Sequence, residues 1–237
     1  MQQGTQLDML RIIPRAALAA SFASVALLLG SCNIVTPVAY AIEGPGQIDA
    51  EYTLPVKKTV VFVDDPRNIL PRTALRTTIG DAVSFDLMDR ELLTSTVATR
   101  DAIAIARQGS GGSASKLMSI ESIGRALDAS QVIHIQPEIF DLAGRSDSQG
   151  LRPTAKVVVK VLDIDQQVRV YPSEHTLPRG REVTATIREA DPSVLRTRSG
   201  RTQLEEELAR KVALQVAKLF YKHDRVDLGE NLGTRKQ

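Results

Sequence analysis

The apolar positions of this chain change period several times, and each change marks a predicted element. From Ala16 to Leu29 they form an apolar run behind the basic pair Arg11 and Arg15. Thr59 to Val63 is a continuous β-branched and aromatic run bounded by charges, the pattern of a strand buried on both faces. From Thr73 to about Leu92 the period becomes helical. Leu75, Ile79, Ala82, Val83, Leu87 and Met88 recur at three- and four-residue spacing, opposite Arg76, Asp81, Asp86 and Arg90. A strand is predicted at Ser95 to Ala98, then a short helix from Asp101 to Arg107 with Asp101 as its cap. "SIESIGRALDAS" predicts a helix opening at Ser119.

The second half reads mainly as strands. "QVIHIQPEIFDL" alternates Val132, His134 and Gln136 against Ile133, Ile135 and Pro137, with Pro137 marking a bulge or an edge. "TAKVVVKVLDI" alternates Lys156, Val158 and Lys160 against Val157, Val159 and Val161, and a turn at Asp163 to Gln167 joins it to "VRVYP" as a hairpin. "REVTATIRE" is a further strand. The chain then closes with a helix from Thr202 to about Lys222 carrying the stripe Leu204, Leu208, Val212, Val216 and Leu219. This order predicts an α/β class domain, a single small mixed sheet flanked by helices, over residues 57–223. Pro37, Gly44, Pro45, Gly46 and Pro55 make residues 32–56 a tether, and the polar residues 224–237 form a loose tail.

Charge and composition narrow the class. The chain has 30 basic and 28 acidic residues, and removing Asp8, Arg11 and Arg15 with a leader of residues 1–31 leaves 28 and 27. No field of one sign remains to draw nucleic acid. With no Trp and 4% aromatic residues, the core must be aliphatic.

The only cysteine, Cys32, stands at the end of the first apolar run. Basic residues, an apolar stretch and small residues are the three parts of a secretory signal. As a helix, that stretch spans about 21 Å at ~1.5 Å per residue, short of the ~30 Å core of a bilayer. Leu29-Gly30-Ser31-Cys32 resembles the bacterial lipoprotein box, which implies cleavage between Ser31 and Cys32 and acylation of the Cys32 thiol. Ala39-Tyr40-Ala41 is the competing small-x-small cleavage site. Several acyl chains on one residue anchor stably where a single chain does not. Asn33 is not the aspartate that marks inner-membrane retention in enteric bacteria. The resemblance therefore favours the outer membrane, facing the periplasm, with the inner membrane as the alternative.

With the lipobox, the element order and the phrase "IGRALDASQVIHIQPEIF", the chain resembles three bacterial envelope families. They are the periplasmic domain of the curli-secretion lipoprotein, the activator lipoprotein of penicillin-binding proteins, and the amino-terminal domain of the Tol-Pal translocation protein. The resemblance implies an α/β sandwich with no catalytic residues to transfer. A curli-type pore needs long alternating hairpins, and residues 94–118 and 140–155 lack that alternation.

Candidate chemistry is sparse. "GSGGS" at residues 109–113 lacks the Gly-Lys-Ser/Thr of a phosphate-binding loop, and Lys116 comes too late. Asp163 and Asp165 could face one side of a strand toward a cation, but no third ligand and no glycine for a tight metal loop follow, so a hairpin turn is expected. Asp64 and Asp65 invite the same thought and are expected to cap. His134, His175 and His223 lie far apart, no Gly-x-Ser-x-Gly is present, and no cluster offers zinc its ligands. No metal or cofactor is therefore expected. Arg196, Arg198 and Arg201 are expected in a solvated loop.

These readings predict a non-catalytic, lipid-anchored interaction or assembly module. It would meet the membrane through its lipid, bind an envelope protein or itself, and leave nucleic acid alone. The alternative is a hydrolase or transferase of envelope polymers. Lys156, Val158 and Lys160, sharing one strand face, are the candidate partner surface.

Overall fold

The computed structural model describes residues 46–109, 118–144, 150–188 and 190–225. The chain divides into two units. One is Asp49–His223; the other joins Met1–Ile48 to Asp224–Gln237, and within its described residues the Arg225 N–H donates to the Gly46 carbonyl at 2.7 Å.

In the larger unit the elements run β1 (Lys58–Val63), α1 (Ala74–Asp89), β2 (Ser95–Val97), α2 (Thr99–Gly109), α3 (Ile120–Ala126), β3 (Gln131–Asp141), β4 (Thr154–Asp163), β5 (Val168–Tyr171), β6 (Arg181–Thr186) and α4 (Arg198–Ala217). Short 3-10 turns, Pro192–Arg196 and Lys218–Phe220, flank α4. The sheet order is β2-β1-β3-β4-β5, with β6 also on β4. β1 is parallel to β2 and β3; β4 is antiparallel to β3, β5 and β6. This is the mixed α/β sheet flanked by helices that the periodicities predict.

Strand alternation divides the core into two. Val61, Val63, Ile133, Ile135, Val157, Val159 and Val161 turn toward α1 and α4. Val60, Phe62, Val132, Leu162 and Ile164 turn toward α2 and α3. β1 sits between two strands and beneath helices on both faces, which is why its run is continuously apolar. The whole expected stripe is buried, Leu204 to Val216 on α4 and Leu219 in the 3-10 turn that follows it, and Ala209, Ala213 and Ala217 let the helix approach closely. Thr197 caps it through a hydroxyl that accepts the Gly200 N–H at 3.0 Å.

Several expectations need correction. Leu54, read as tether, is 3% exposed and belongs to the core, and the Glu51 and Tyr52 N–H groups both bond the Leu219 carbonyl. Helix α2 begins at Thr99, so Asp101 lies in its first turn and is not the cap. The Thr99 N–H is instead met by the Asp81 carboxylate of α1 at 3.3 Å. Gly80 permits that approach, because a Cβ there would overlap the Thr99 side chain. Of the two expectations for Pro137 the edge is wrong, since the strand is central, and the bulge is present as a register shift between Pro137 and Ile139. β3 is paired with β1 only as far as Ile135, so the missing N–H leaves no ladder position empty.

Candidate functional site

The expected partner surface is rearranged by its neighbours. Lys156, Val158 and Lys160 do share a face of β4, but β4 is an interior strand, flanked by β3 on one side and by β5 and β6 on the other. Its backbone cannot accept a further strand. Val158 is 3% exposed because residues 172–180, which leave the sheet between β5 and β6, return over it at Gly180. Gly180 has φ +116°, a conformation that favours glycine, and a Cβ there would overlap Val158. Lys156 is held between Glu182 at 2.7 Å and Glu138 at 3.6 Å, and Arg179 also pairs with Glu138. Lys160 forms no such pair among the described residues. Burial pushes its ammonium pKa down, Arg169 pushes it further, and only Glu174 opposes them.

The other candidates resolve mostly into structure. Asp163 and Asp165 do face one cation, but it is Lys57, at 2.8 and 3.3 Å. Burial raises the Asp163 carboxyl; the Lys57 hydrogen bond and the Gln166 N–H outweigh it, and the net shift is downward. Asp65 accepts the N–H groups of Ile69 at 2.8 Å and Leu70 at 2.9 Å, the capping role expected of it. Asp64 stands 3.4 Å from His134 Nε2 and 3.9 Å from Arg76 Nη2. His134 Nδ1 and Arg76 Nε are buried without partners. This sets a carboxylate beside an imidazole, but His134 is 4% exposed. His175 lies in the exposed 172–180 excursion, and His223 Nδ1 sits 3.1 Å from the Tyr221 carbonyl. Arg196 ends a 3-10 turn, whereas Arg198 and Arg201 lie in the first turn of α4. Among the described residues, no group of three or more His, Cys, Asp or Glu could hold a metal. Ser31, Cys32 and residues 110–113 of "GSGGS" lie outside the described residues.

Phe85 lies outside the apolar stripe that the periodicity of α1 defines. It is 74% exposed, on the outer stripe of α1, with Asp81 and Asp89 one turn to either side. Met88, expected in the core stripe, is 37% exposed beside it. Between α1 and β2 runs a groove of about 400 Å³, lined by Asp81, Ser84, Phe85, Met88, Val97 and Ala98. The Ser84 hydroxyl in its wall is buried without a hydrogen-bond partner. Beside the groove, β2 pairs only with β1 among the described residues, so its outer edge is open. The signal was in the sequence: an aromatic residue spaced i−4 and i+4 from carboxylates is out of phase with the apolar stripe.

Comparison with known proteins adds little to this geometry. No family model matches the chain, and no curated protein matches it. Solved structures to which it is similar include a PelC dodecamer from Paraburkholderia phytofirmans, at 12% identity over 74% of this chain and 96% of that one, with a TM-score of 0.38. The hypothetical protein CT253 from Chlamydia trachomatis is 14% identical over 69% of this chain and 96% of its own, TM-score 0.39. Lipoprotein GNA1162 from Neisseria meningitidis is 7% identical over 63% and 96%, TM-score 0.36. Likeness at this level carries no argument about activity. No helix among the described residues is long and apolar enough to cross a membrane.

Proposed function

We propose that this chain is a lipid-anchored protein of the bacterial cell envelope whose α/β domain works without catalysis, as a protein-interaction or assembly module. The anchor rests on Leu29-Gly30-Ser31-Cys32 behind a basic and apolar leader. Asn33 after the cysteine favours the outer membrane, facing the periplasm. The module reading is carried by one observation: Phe85, 74% exposed, stands over an apolar groove beside an open strand edge. Burying such a ring recovers roughly 1.5–3 kcal/mol, and exposed apolar patches mark contact sites. Of the expected partner surface, Lys160 keeps a place in the proposal. Lys156 is committed to its carboxylates and Val158 is covered.

The test of the anchor is Cys32→Ala in the full chain. The variant is expected in the soluble envelope fraction, and retention in membranes with the leader removed would contradict the lipid reading. The alternative, an envelope-polymer hydrolase or transferase, would have to use Asp64 and His134. The burial of His134 argues against access by a polymer. Release of soluble fragments from purified peptidoglycan, abolished by Asp64→Asn, would establish that alternative instead.

A further inference from the structure

The two ends of the sheet differ in shape and in charge. At the β2 end Phe85 projects from α1 between Asp81 and Asp89, and neither carboxylate has an ion-pair partner among the described residues. Glu91, just beyond the helix, adds a third. At the opposite end, four strand spacings or about 19 Å away, there is a recess of about 310 Å³. It is walled by Leu177, Pro178, Gly180 and the stems of Arg179 and Arg181.

The charges lining that recess are already paired: Arg179 with Glu138, Arg181 with Glu51, and Glu182 with Lys156. The charges behind it are not. Arg169 spends its N–H groups on neutral carbonyls, those of Pro178 at 2.8 Å and of Leu177, while its Nε is buried without a partner. Lys160 packs against Gly180, and Glu174 is the only acid acting on it. One end is therefore a projecting aromatic residue among carboxylates that have no ion-pair partner among the described residues, although Asp81 accepts the Thr99 N–H. The other is an apolar recess backed by two cations, Lys160 and Arg169, that share Glu174 as their one opposing acid, with Leu177 39% exposed at its rim.

We propose that the occupant of each end is the other end of a second copy of this chain. The Phe85 ring enters the Leu177–Gly180 recess of the neighbour, and Asp81 and Asp89 face its Lys160 and Arg169. Because two different patches meet, the interface is heterologous. Such interfaces propagate head to tail, closing into a ring or continuing as a filament. The open backbone edge of β2 lies beside the same contact. This deepens the module reading by naming its partner, and a rotation axis along the membrane normal would leave every Cys32 anchor on the same side.

The test uses the full chain in detergent, sized by light scattering after gel filtration. The wild-type chain is expected to form species larger than dimers. Phe85→Ser removes the projecting ring, and Leu177→Glu puts a carboxylate where it meets Asp81 and Asp89. Both positions are exposed, and circular dichroism is expected to match the wild type. Each variant alone should run as a single chain. Mixed in equal amounts, they should form a dimer and nothing larger, because Leu177→Glu keeps a sound Phe85 end and Phe85→Ser keeps a sound recess. A wild-type chain that stays single, variants that assemble as the wild type does, or a mixture that stays single would each overturn the proposal. None of these outcomes bears on the membrane fractionation of Cys32→Ala, so the anchor and the assembly fail separately. Dimers formed by Leu177→Glu alone would show a two-fold Phe85 contact and also overturn it.

Discussion

On the α1 and α4 side of the sheet, the inward positions of β1, β3 and β4 are Val61, Val63, Ile133, Ile135, Val157, Val159 and Val161, and two long helices cover them. On the other side only Val60, Phe62, Val132, Leu162 and Ile164 are apolar and covered, by the shorter α2 and α3. The rest of that face holds His134, Val158 and Lys160 beside the ion pairs of Lys156 with Glu138 and Glu182, and the returning loop covers Val158 at Gly180. The first side buries enough aliphatic area to hold the fold. The second leaves charges beside the recess, so the two faces differ in how much they contribute to stability.

Breaking the first side should have the largest effect. Truncation at Arg201 removes the stripe from Leu204 to Leu219, and at roughly 1.5–3 kcal/mol per buried Leu or Val this is comparable to the whole margin of a typical domain. The truncated chain is expected to show no cooperative thermal transition. Leu208→Ala, at a fully buried position, should cost about 2–5 kcal/mol in urea unfolding. Ile123→Ala on the other face is expected at the low end of that range, since the seven-residue α3 can shift toward the gap. Equal losses at the two positions would erase the distinction between the faces.

How much of this was legible depended on whether an element's neighbours follow from its own pattern. β1 and α4 did, because a run apolar on both faces and a stripe at helical spacing each specify their burial. The fate of Lys156 and Val158 did not. Alternation placed them on one face, but only the return of residues 172–180 at Gly180 covers Val158, and nothing local in β4 encodes that. The hairpin turn preferred for Asp163 and Asp165 is present, but the cation between their carboxylates was not legible, since it is Lys57, 106 residues away from Asp163. Phe85 was legible and was overlooked, because attention to the apolar stripe hid an apolar residue on the polar one.

A smaller effect should come from acid. The Arg181 hydrogen bond, against burial and with help from Tyr171, holds the Glu51 carboxyl below its usual range, and Asp163 is lowered as well. A carboxylate with a depressed folded-state pKa contributes stability that is present above its unfolded value of about 4 and lost as pH falls through the folded value. Stability should therefore decline below about pH 4. Glu51→Gln should remove its share at neutral pH, about 1 kcal/mol or less for a pair this exposed, and flatten that part of the decline. A steeper acid dependence in Glu51→Gln would contradict the assignment.

The smallest effect on stability is expected at the residue that matters most for function. Phe85→Ser touches an exposed ring, and its unfolding free energy should stay within about 0.5 kcal/mol of the wild type. The most direct test of the account is to express two differently tagged copies of the full chain together and isolate one tag from solubilised membranes. Wild-type copies are predicted to carry each other through the isolation, whereas copies both bearing Phe85→Ser, folded and still membrane-bound, should separate. Co-isolation of the Phe85→Ser copies at the wild-type level would contradict it.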